Sequence, residues 1–110
     1  MQKILFTVVA VFSISSAMAD SVEDMCSGSD KICACAASKL KSDIGDGDYG
    51  LYEAIGTAYI ANKGKGMGLG DAWDTAVKAE ASKRGDGFTK ILSKTNSIGS
   101  AHRKAIKSCE

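Results

Sequence analysis

Three of the four cysteines lie within ten residues of one another, in the segment MCSGSDKICACAASKL at residues 25–40. They are Cys26, Cys33 and Cys35, and the fourth, Cys109, is the next-to-last residue. Thiols at this density can form a redox pair, bind a metal ion or form structural disulfides. An even number of cysteines in a chain this short favours two disulfides, provided that the chain is exported.

The first 19 residues have the pattern of a secretory signal peptide. Lys3 supplies a positive charge, an apolar run follows, and Ala17-Met18-Ala19 has the small-x-small pattern that signal peptidase cleaves. We expect cleavage before Asp20 and a mature chain, residues 20–110, that forms one helical domain. The signal is typical of bacteria, so the predicted location is periplasmic or secreted, where thiols oxidise. No later segment approaches the length of a membrane span, so no membrane contact is expected after cleavage.

The charge of the mature chain is balanced overall but polarised along its length. Of the 14 Lys and Arg residues Lys3 leaves with the signal, so 13 basic residues face 13 acidic ones. Residues 20–62 contain 3 basic and 8 acidic residues, a net of −5, and residues 63–110 contain 10 and 5, a net of +5. The overall balance does not favour a nucleic-acid partner. The opposite charges are expected to attract the two halves of the chain to each other within the fold, and they can also steer a charged partner.

Helical periodicity runs through the mature sequence, which contains no proline. Glycine clusters and capping residues divide it into four predicted helices. They run from Ser29 or Asp30 to about Ser42, from the cap Asp48 to about Lys63, from Asp71 to the stop at Gly85, and from the cap Asp86 to near the end of the chain. We therefore predict an all-α fold, a small four-helix bundle of up-down-up-down topology stapled by two disulfides.

The last predicted helix has the clearest amphipathic pattern. Ten of its residues fall in one sector of about 140° on a helical wheel, and His102, the only histidine, is at the centre of that sector. The sector contains Phe88, Ile91, Leu92, Thr95, Ile98, Gly99, His102, Ala105, Ile106 and Cys109. Outside it lie Lys90, Lys94, Lys104 and Lys107, which give the helix a basic outer face. Solvation explains that face most simply, and partner binding is the alternative.

Helix geometry restricts how the cysteines can pair. Residues two apart on an α-helix point about 200° apart, so Cys33 and Cys35 cannot bond each other or share one metal ion. On the first helix Cys33 falls on the apolar face and Cys35 on the opposite face. Because the first and last helices of the bundle are antiparallel neighbours, Cys109 is expected near the start of the first. We predict the pairs Cys33–Cys109 and Cys26–Cys35, and the alternative is Cys26–Cys33 with Cys35–Cys109.

His102 is expected to be a neutral core histidine, hydrogen-bonded to a tyrosine such as Tyr52 or Tyr59 or to a carboxylate. A second interpretation is an axial ligand. In its architecture the chain resembles the small periplasmic four-helix cytochromes that hold haem b without covalent links, through a His on the last helix and a Met near the start of the first. The resemblance implies His102 as one haem ligand and Met25 or Met67 as the other. Otherwise no cofactor and no metal site is expected.

The glycine-rich segment GKGMGLG, residues 64–70, is interpreted as a flexible loop between helices. It lacks the GK[ST] of a phosphate-binding loop, and it follows a helix rather than a strand. Lys63, Lys65 and Met67 at this loop are nonetheless candidates for a partner-binding surface.

No pattern in the sequence predicts catalysis. One histidine, expected to be buried, and four oxidised cysteines offer no Ser-His-Asp or Cys-His nucleophile, and neither HExxH nor GxSxG occurs. We therefore expect an exported, disulfide-stabilised helical protein, not an enzyme, that acts by non-catalytic binding. Its partner is expected to be another protein, with an inhibitor, immunity or chaperone-like role. The alternative is a periplasmic carrier of haem b or a metal ion at His102.

Overall fold

A computed structural model of the chain describes residues 21–110, and within that range it contains four helices and no strand. We number the helices α1 (Ser21–Asp24), α2 (Asp30–Gly64), α3 (Leu69–Arg84) and α4 (Phe88–Cys109). The predicted all-α fold with two disulfides is confirmed. None of these four helices has both the length and the apolar character needed to cross a membrane. The predicted signal peptide, residues 1–19, lies outside the described residues.

Helix α2 contains the first two predicted helices, which meet at Gly45. Gly45 has φ 87° and ψ 164°, whereas the residues on either side of it are helical. This backbone conformation is accessible in practice only to glycine, because a Cβ atom would collide with the backbone. The predicted turn between the two helices is therefore a kink at a single residue.

The ends of the helices test the predicted caps. Ser29 does cap α2, since its side-chain oxygen accepts a hydrogen bond of 3.2 Å from the backbone N–H of Ile32. Asp48 does not cap a helix, because it lies inside α2, where its carboxylate is 3.1 Å from Lys94 on α4. Helix α3 ends at Gly85 in the left-handed conformation, as predicted, with φ 74°.

Helix α3 begins at Leu69, two residues earlier than the sequence predicts, and its N-cap is Gly68. The N-cap of α4 is Gly87 rather than the predicted Asp86. Helix α4 then continues as one helix to Cys109, and its buried residues all belong to the predicted apolar sector. They are Ile91, Thr95, Ile98, His102 and Ala105.

The core consists of two clusters that share Trp73 as a partly buried neighbour. The first cluster joins α1, α2 and α4 and contains Val22, Ala37, Leu40, Tyr49, Tyr52 and Ile98. The second joins α2, α3 and α4 and contains Leu51, Ile55, Ala76, Val77, Ala81 and Ile91. Trp73, near the start of α3, thus connects the two halves of the core.

Helix α1 packs closely on the second half of α2. Val22 is completely buried, and the Ser21 hydroxyl donates a hydrogen bond of 2.7 Å to the carbonyl of Glu53. Gly56 makes this approach possible, because a Cβ atom at that position would lie 2.5 Å from Cε of Met25. The short N-terminal helix is therefore an integral part of the core.

The disulfides are Cys26–Cys33, with 5.7 Å between the Cα atoms, and Cys35–Cys109, with 6.1 Å. The favoured prediction, Cys33–Cys109 with Cys26–Cys35, is wrong, and the alternative pairing is the one found. Cys33 does point into the core and is only 4% exposed. However, α1 packs on that same side and brings Cys26 to it, which leaves Cys109 to bond the exposed Cys35. Two disulfides indicate an oxidising environment rather than the cytoplasm.

Candidate functional site

An open pocket of about 540 Å³ lies between α2, α3, α4 and the segment that follows α1. We call it the aromatic pocket. Its lining residues are Met25, Ser27, Tyr52, Tyr59, Leu69, Trp73, Thr95, Asn96, Gly99, His102, Arg103 and Ile106. The site therefore combines residues that are far apart in the sequence.

Tyr52 and His102 form the buried floor of the aromatic pocket. Oη of Tyr52 lies 2.9 Å from Nδ1 of His102 in a buried hydrogen bond, and both residues are only 4% exposed. The tautomer of the imidazole decides which of the two atoms donates. The prediction of a core histidine bonded to a tyrosine is confirmed for Tyr52.

Burial raises the pKa of the Tyr52 phenol to about 12, although the positive charge of Arg103 acts in the opposite direction. The phenol therefore remains protonated and neutral throughout the physiological range. Below its pKa it can keep the hydrogen bond to His102 without placing a negative charge in the core.

Tyr59 and Trp73 form one wall of the pocket, beside Tyr52 in its floor. Tyr52 and Tyr59 are seven residues apart on α2 and so lie on the same face of that helix. Trp73 contacts both edge-on, with ring centroids 6.2 Å from Tyr52 and 5.3 Å from Tyr59. Edge-to-face contacts of this kind fix ring orientation. Lys63 adds a cation 5.1 Å from the centroid of Tyr59.

Gly99 keeps the pocket open on the α4 side. A Cβ atom at Gly99 would lie 4.0 Å from Oη of Tyr52, an ordinary van der Waals distance, and would contact nothing closer. A methyl group thus fits at this position, but a large side chain would extend into the space above Tyr52. Replacement of Gly99 is therefore a way to close the pocket without altering its floor.

A second recess of about 470 Å³ adjoins the aromatic pocket at the end of α4. We call it the basic groove, because three cations and one acid are among its lining residues, which are Ser27, Ser100, Arg103, Lys104, Ile106, Lys107 and Glu110. Ser27, Arg103 and Ile106 line both recesses. The two recesses are thus neighbours on the surface of α4.

The structure brings together part of the predicted ligand-binding set. Met25 and His102 both line the aromatic pocket, whereas Met67, which is 37% exposed, is not among its lining residues. Lys104 and Lys107 line the basic groove.

The other predicted partner-binding lysines lie elsewhere. Lys65 caps the C-terminal end of α2 and is exposed. On the outer face of α4, Lys90 is 3.6 Å from Asp86 and Lys94 is 3.1 Å from Asp48. Two of the four α4 lysines are thus engaged in ion pairs within the fold.

Leu69, Trp73 and Arg103 are among the residues of the site that the sequence patterns did not indicate as ligand contacts. Leu69 is 64% exposed, and it was predicted to lie in a loop rather than at the start of a helix. The sequence places Trp73 with Ala76 and Val77 on one side of the third predicted helix, without indicating a role in binding. The signal for Arg103 was its place next to His102 at the edge of the apolar sector.

The arrangement suits binding. Met25, Trp73 and Leu69 offer apolar and aromatic contacts, Asn96 offers an amide, and Arg103 offers five N–H donors for an anion. Within residues 21–110, no cluster of three or more His, Cys, Asp or Glu residues could hold a metal ion. No protein-family model, curated protein or solved structure matches this chain.

Proposed function

We propose that this protein is an exported, non-catalytic binding protein that recognises another protein through the aromatic pocket. The observation that carries the proposal is the pocket itself, about 540 Å³ in volume and walled by partly exposed aromatic and apolar side chains. This volume falls within the range of known ligand sites, roughly 300–1,000 Å³. Aromatic side chains in such a pocket are typical contacts for the side chain that anchors a partner.

The covalent framework supports this proposal because it holds both sides of the pocket before any partner arrives. The Cys26–Cys33 disulfide fixes the segment that carries Met25 and Ser27. The Cys35–Cys109 disulfide fixes the end of α4, where Ile106 lies. A site that is already ordered loses less conformational entropy on binding.

The residues that most often perform catalysis are engaged in other roles here. All four cysteines form disulfides, so none offers a thiolate. His102, the single histidine, is buried, with Nδ1 in the hydrogen bond to Tyr52. These observations support a binding role over an enzymatic one.

The proposal is tested by capturing partners from the compartment that contains the exported protein. The captured set is compared for the wild type, Gly99→Phe, which fills the pocket, and the matched control Gly99→Ala, which leaves it open. We expect at least one protein that the wild type and Gly99→Ala retain and Gly99→Phe loses, while circular dichroism shows all three folded. Partner capture unaffected by Gly99→Phe would contradict the proposal, and so would a compartment without any partner.

A carrier of haem b is the second candidate, because Met25 and His102 line the same pocket. These two residues would hold the iron, with Tyr52 orienting the imidazole through Nδ1, as neighbours of ligating histidines commonly do. Bound haem would supply one-electron chemistry. The test is the absorption spectrum of protein purified from its native compartment. A Soret band lost in His102→Ala supports the carrier, and a spectrum with protein absorbance alone excludes it.

A further inference from the structure

We propose that the partner is bound through an acidic segment that carries one large apolar or aromatic side chain. That side chain occupies the aromatic pocket, and the carboxylates of the segment lie along the basic groove. This inference rests on the proposed function and adds the chemistry of the partner to it.

Positive charge is concentrated in the basic groove. Arg103, Lys104 and Lys107 are exposed, and they lie on adjacent positions of α4. In the part of the chain that the structure describes, none of these three side chains forms an ion pair, whereas Lys90 and Lys94 on the same helix do. Glu110 is the one acidic side chain among the residues that line the groove. The three cations are thus available to carboxylates of a partner.

The aromatic pocket and the basic groove together form a long site. The recesses share Ser27, Arg103 and Ile106 and extend along α4 from Thr95 to Glu110. At 1.5 Å per residue that distance is roughly 22 Å. An extended peptide of about six or seven residues covers the same length, whereas a small molecule fills one recess only. Both recesses open to solvent, which suits a segment that lies across the surface.

The two ends of the combined site differ in chemistry. The end nearest α3 is apolar, with Leu69 64% exposed and Trp73 partly exposed beside it. Exposed apolar patches bordered by charge are typical of sites for protein partners. The opposite end presents Lys104 and Lys107. Arg103 lines both recesses, and its planar guanidinium can bind a carboxylate through two parallel hydrogen bonds. One segment must therefore satisfy an apolar end and a cationic end.

Charge on the larger scale favours the same partner. Helix α4 belongs to the half of the sequence, residues 63–110, that has a net charge of +5. A positive surface accelerates encounter with an acidic partner and disfavours a basic one.

The experiment selects random twelve-residue peptides displayed on phage against the full protein purified after export. We expect the enriched peptides to combine two or more Asp or Glu residues with one Trp, Phe, Leu or Met. Synthetic copies of the enriched peptides are then titrated against the protein. Trp73 is the only tryptophan of the chain and lines the pocket, so its fluorescence reports binding for peptides without tryptophan.

Charge variants give the quantitative test. Arg103→Glu and Lys107→Glu are expected to raise Kd at least roughly tenfold each, because attraction becomes repulsion. Lys39→Glu makes the same change of charge at an exposed position of α2 outside both recesses, and it should change Kd by less than about twofold. Glu110→Gln should lower Kd, since it removes the acid from the groove. High salt should raise Kd.

The outcomes separate this inference from the proposed function. Enrichment of neutral or basic peptides overturns the inference alone if Gly99→Phe still abolishes their binding. The inference alone is also overturned if Arg103→Glu and Lys107→Glu leave the Kd of acidic peptides unchanged. Binding that persists in Gly99→Phe contradicts both proposals. Absence of enriched peptides overturns the inference, and an oleate-induced change in Trp73 fluorescence would then assign the pocket to a small anionic amphiphile.

Discussion

Tyr52 joins the core of the protein to its binding site. Its ring packs in the cluster that contains Leu40 and Ile98, and the edge of the ring faces Trp73. Its hydroxyl is bonded to His102 at the floor of the aromatic pocket. A change at Tyr52 must therefore affect stability and binding together, whereas a change at Gly99 affects the pocket with little effect on the core.

The pKa of Tyr52, about 12 against an ordinary 10.0, predicts a loss of stability at alkaline pH. Above pH 10 the unfolded chain releases the phenolic proton while the folded protein retains it. The free energy of unfolding therefore falls as pH rises, at about 1.4 kcal/mol per pH unit, until pH passes the folded pKa. This contribution is fully present below pH 10, because the phenol is then protonated in both states.

Tyr52→Phe removes the contribution of the phenol to the pH dependence of the free energy of unfolding. Comparison of this variant with the wild type therefore separates that contribution from the titration of the lysines, which both proteins share. At neutral pH the substitution should cost roughly 1–2 kcal/mol, because Nδ1 of His102 loses its partner. That difference should shrink above about pH 10 as the wild type loses its advantage. Urea denaturation of both proteins between about pH 7 and pH 11.5 measures it. Equal slopes against pH would show that the phenol titrates normally.

For a whole helix, a strong apolar periodicity in the sequence predicts which residues are buried. The apolar sector of α4 is wide and regular, so the burial of Ile91, Ile98 and His102 could be predicted from the sequence. Helix α1 has only four residues, too few for periodicity to show, yet its packing decides which cysteine reaches Cys33. A helical wheel describes one helix at a time, so it could not predict the pairing of the cysteines.

The binding site was harder to predict for a related reason. Tyr59, Trp73 and Arg103 lie on three different helices, and nothing in their spacing indicates that they face one space. Only the packing of α2, α3 and α4 brings them together. His102 could be identified because it is the only histidine of the chain and is at the centre of an apolar pattern, a contrast that the sequence itself displays.

The kink in α2 predicts opposite effects for two alanine substitutions five residues apart. Gly45→Ala should cost roughly 1–3 kcal/mol, because φ 87° with ψ 164° excludes a Cβ atom. Gly50→Ala should raise the free energy of unfolding by about 0.5–1 kcal/mol, since Gly50 is helical and the methyl group of an alanine there would meet no atom within 4 Å beyond the backbone of its own helix. Chemical denaturation measures both. A stabilising Gly45→Ala would mean that α2 is straight in solution.

The two disulfides should differ in their contribution to stability. Cys26–Cys33 closes a loop with a sequence separation of 7, and Cys35–Cys109 one with a separation of 74. From loop-closure entropy, we expect the free energy of unfolding to fall by about 2 kcal/mol without the Cys26–Cys33 disulfide and by about 4 kcal/mol without the Cys35–Cys109 disulfide. The double variants Cys26→Ala with Cys33→Ala, and Cys35→Ala with Cys109→Ala, test this by thermal denaturation. A larger loss of stability in the Cys26→Ala with Cys33→Ala variant would contradict this order.

At the scale of the whole molecule, charge and covalent structure have complementary roles. The acidic and basic halves of the sequence meet directly where Asp48 on α2 pairs with Lys94 on α4. Lys94 is balanced in this way and Lys90 is balanced by Asp86, but within residues 21–110 no ion pair balances the charge at the C-terminal end of α4. That end is also the one that the Cys35–Cys109 disulfide attaches to α2. The available cations are therefore held at a fixed position beside the aromatic pocket.

This arrangement requires oxidation, so export and folding should depend on each other. The full chain made in a bacterial host is expected to reach the periplasm or medium with Asp20 as its first residue and no free thiol, as mass spectrometry and thiol titration measure. A version without residues 2–19 should stay reduced in the cytoplasm and melt at lower temperature, because it lacks both disulfides. Ala19→Tyr should block processing, since the cleavage site requires a small residue, whereas Met18→Tyr should not. Free thiols after export, or processing unaffected by Ala19→Tyr, would contradict this account.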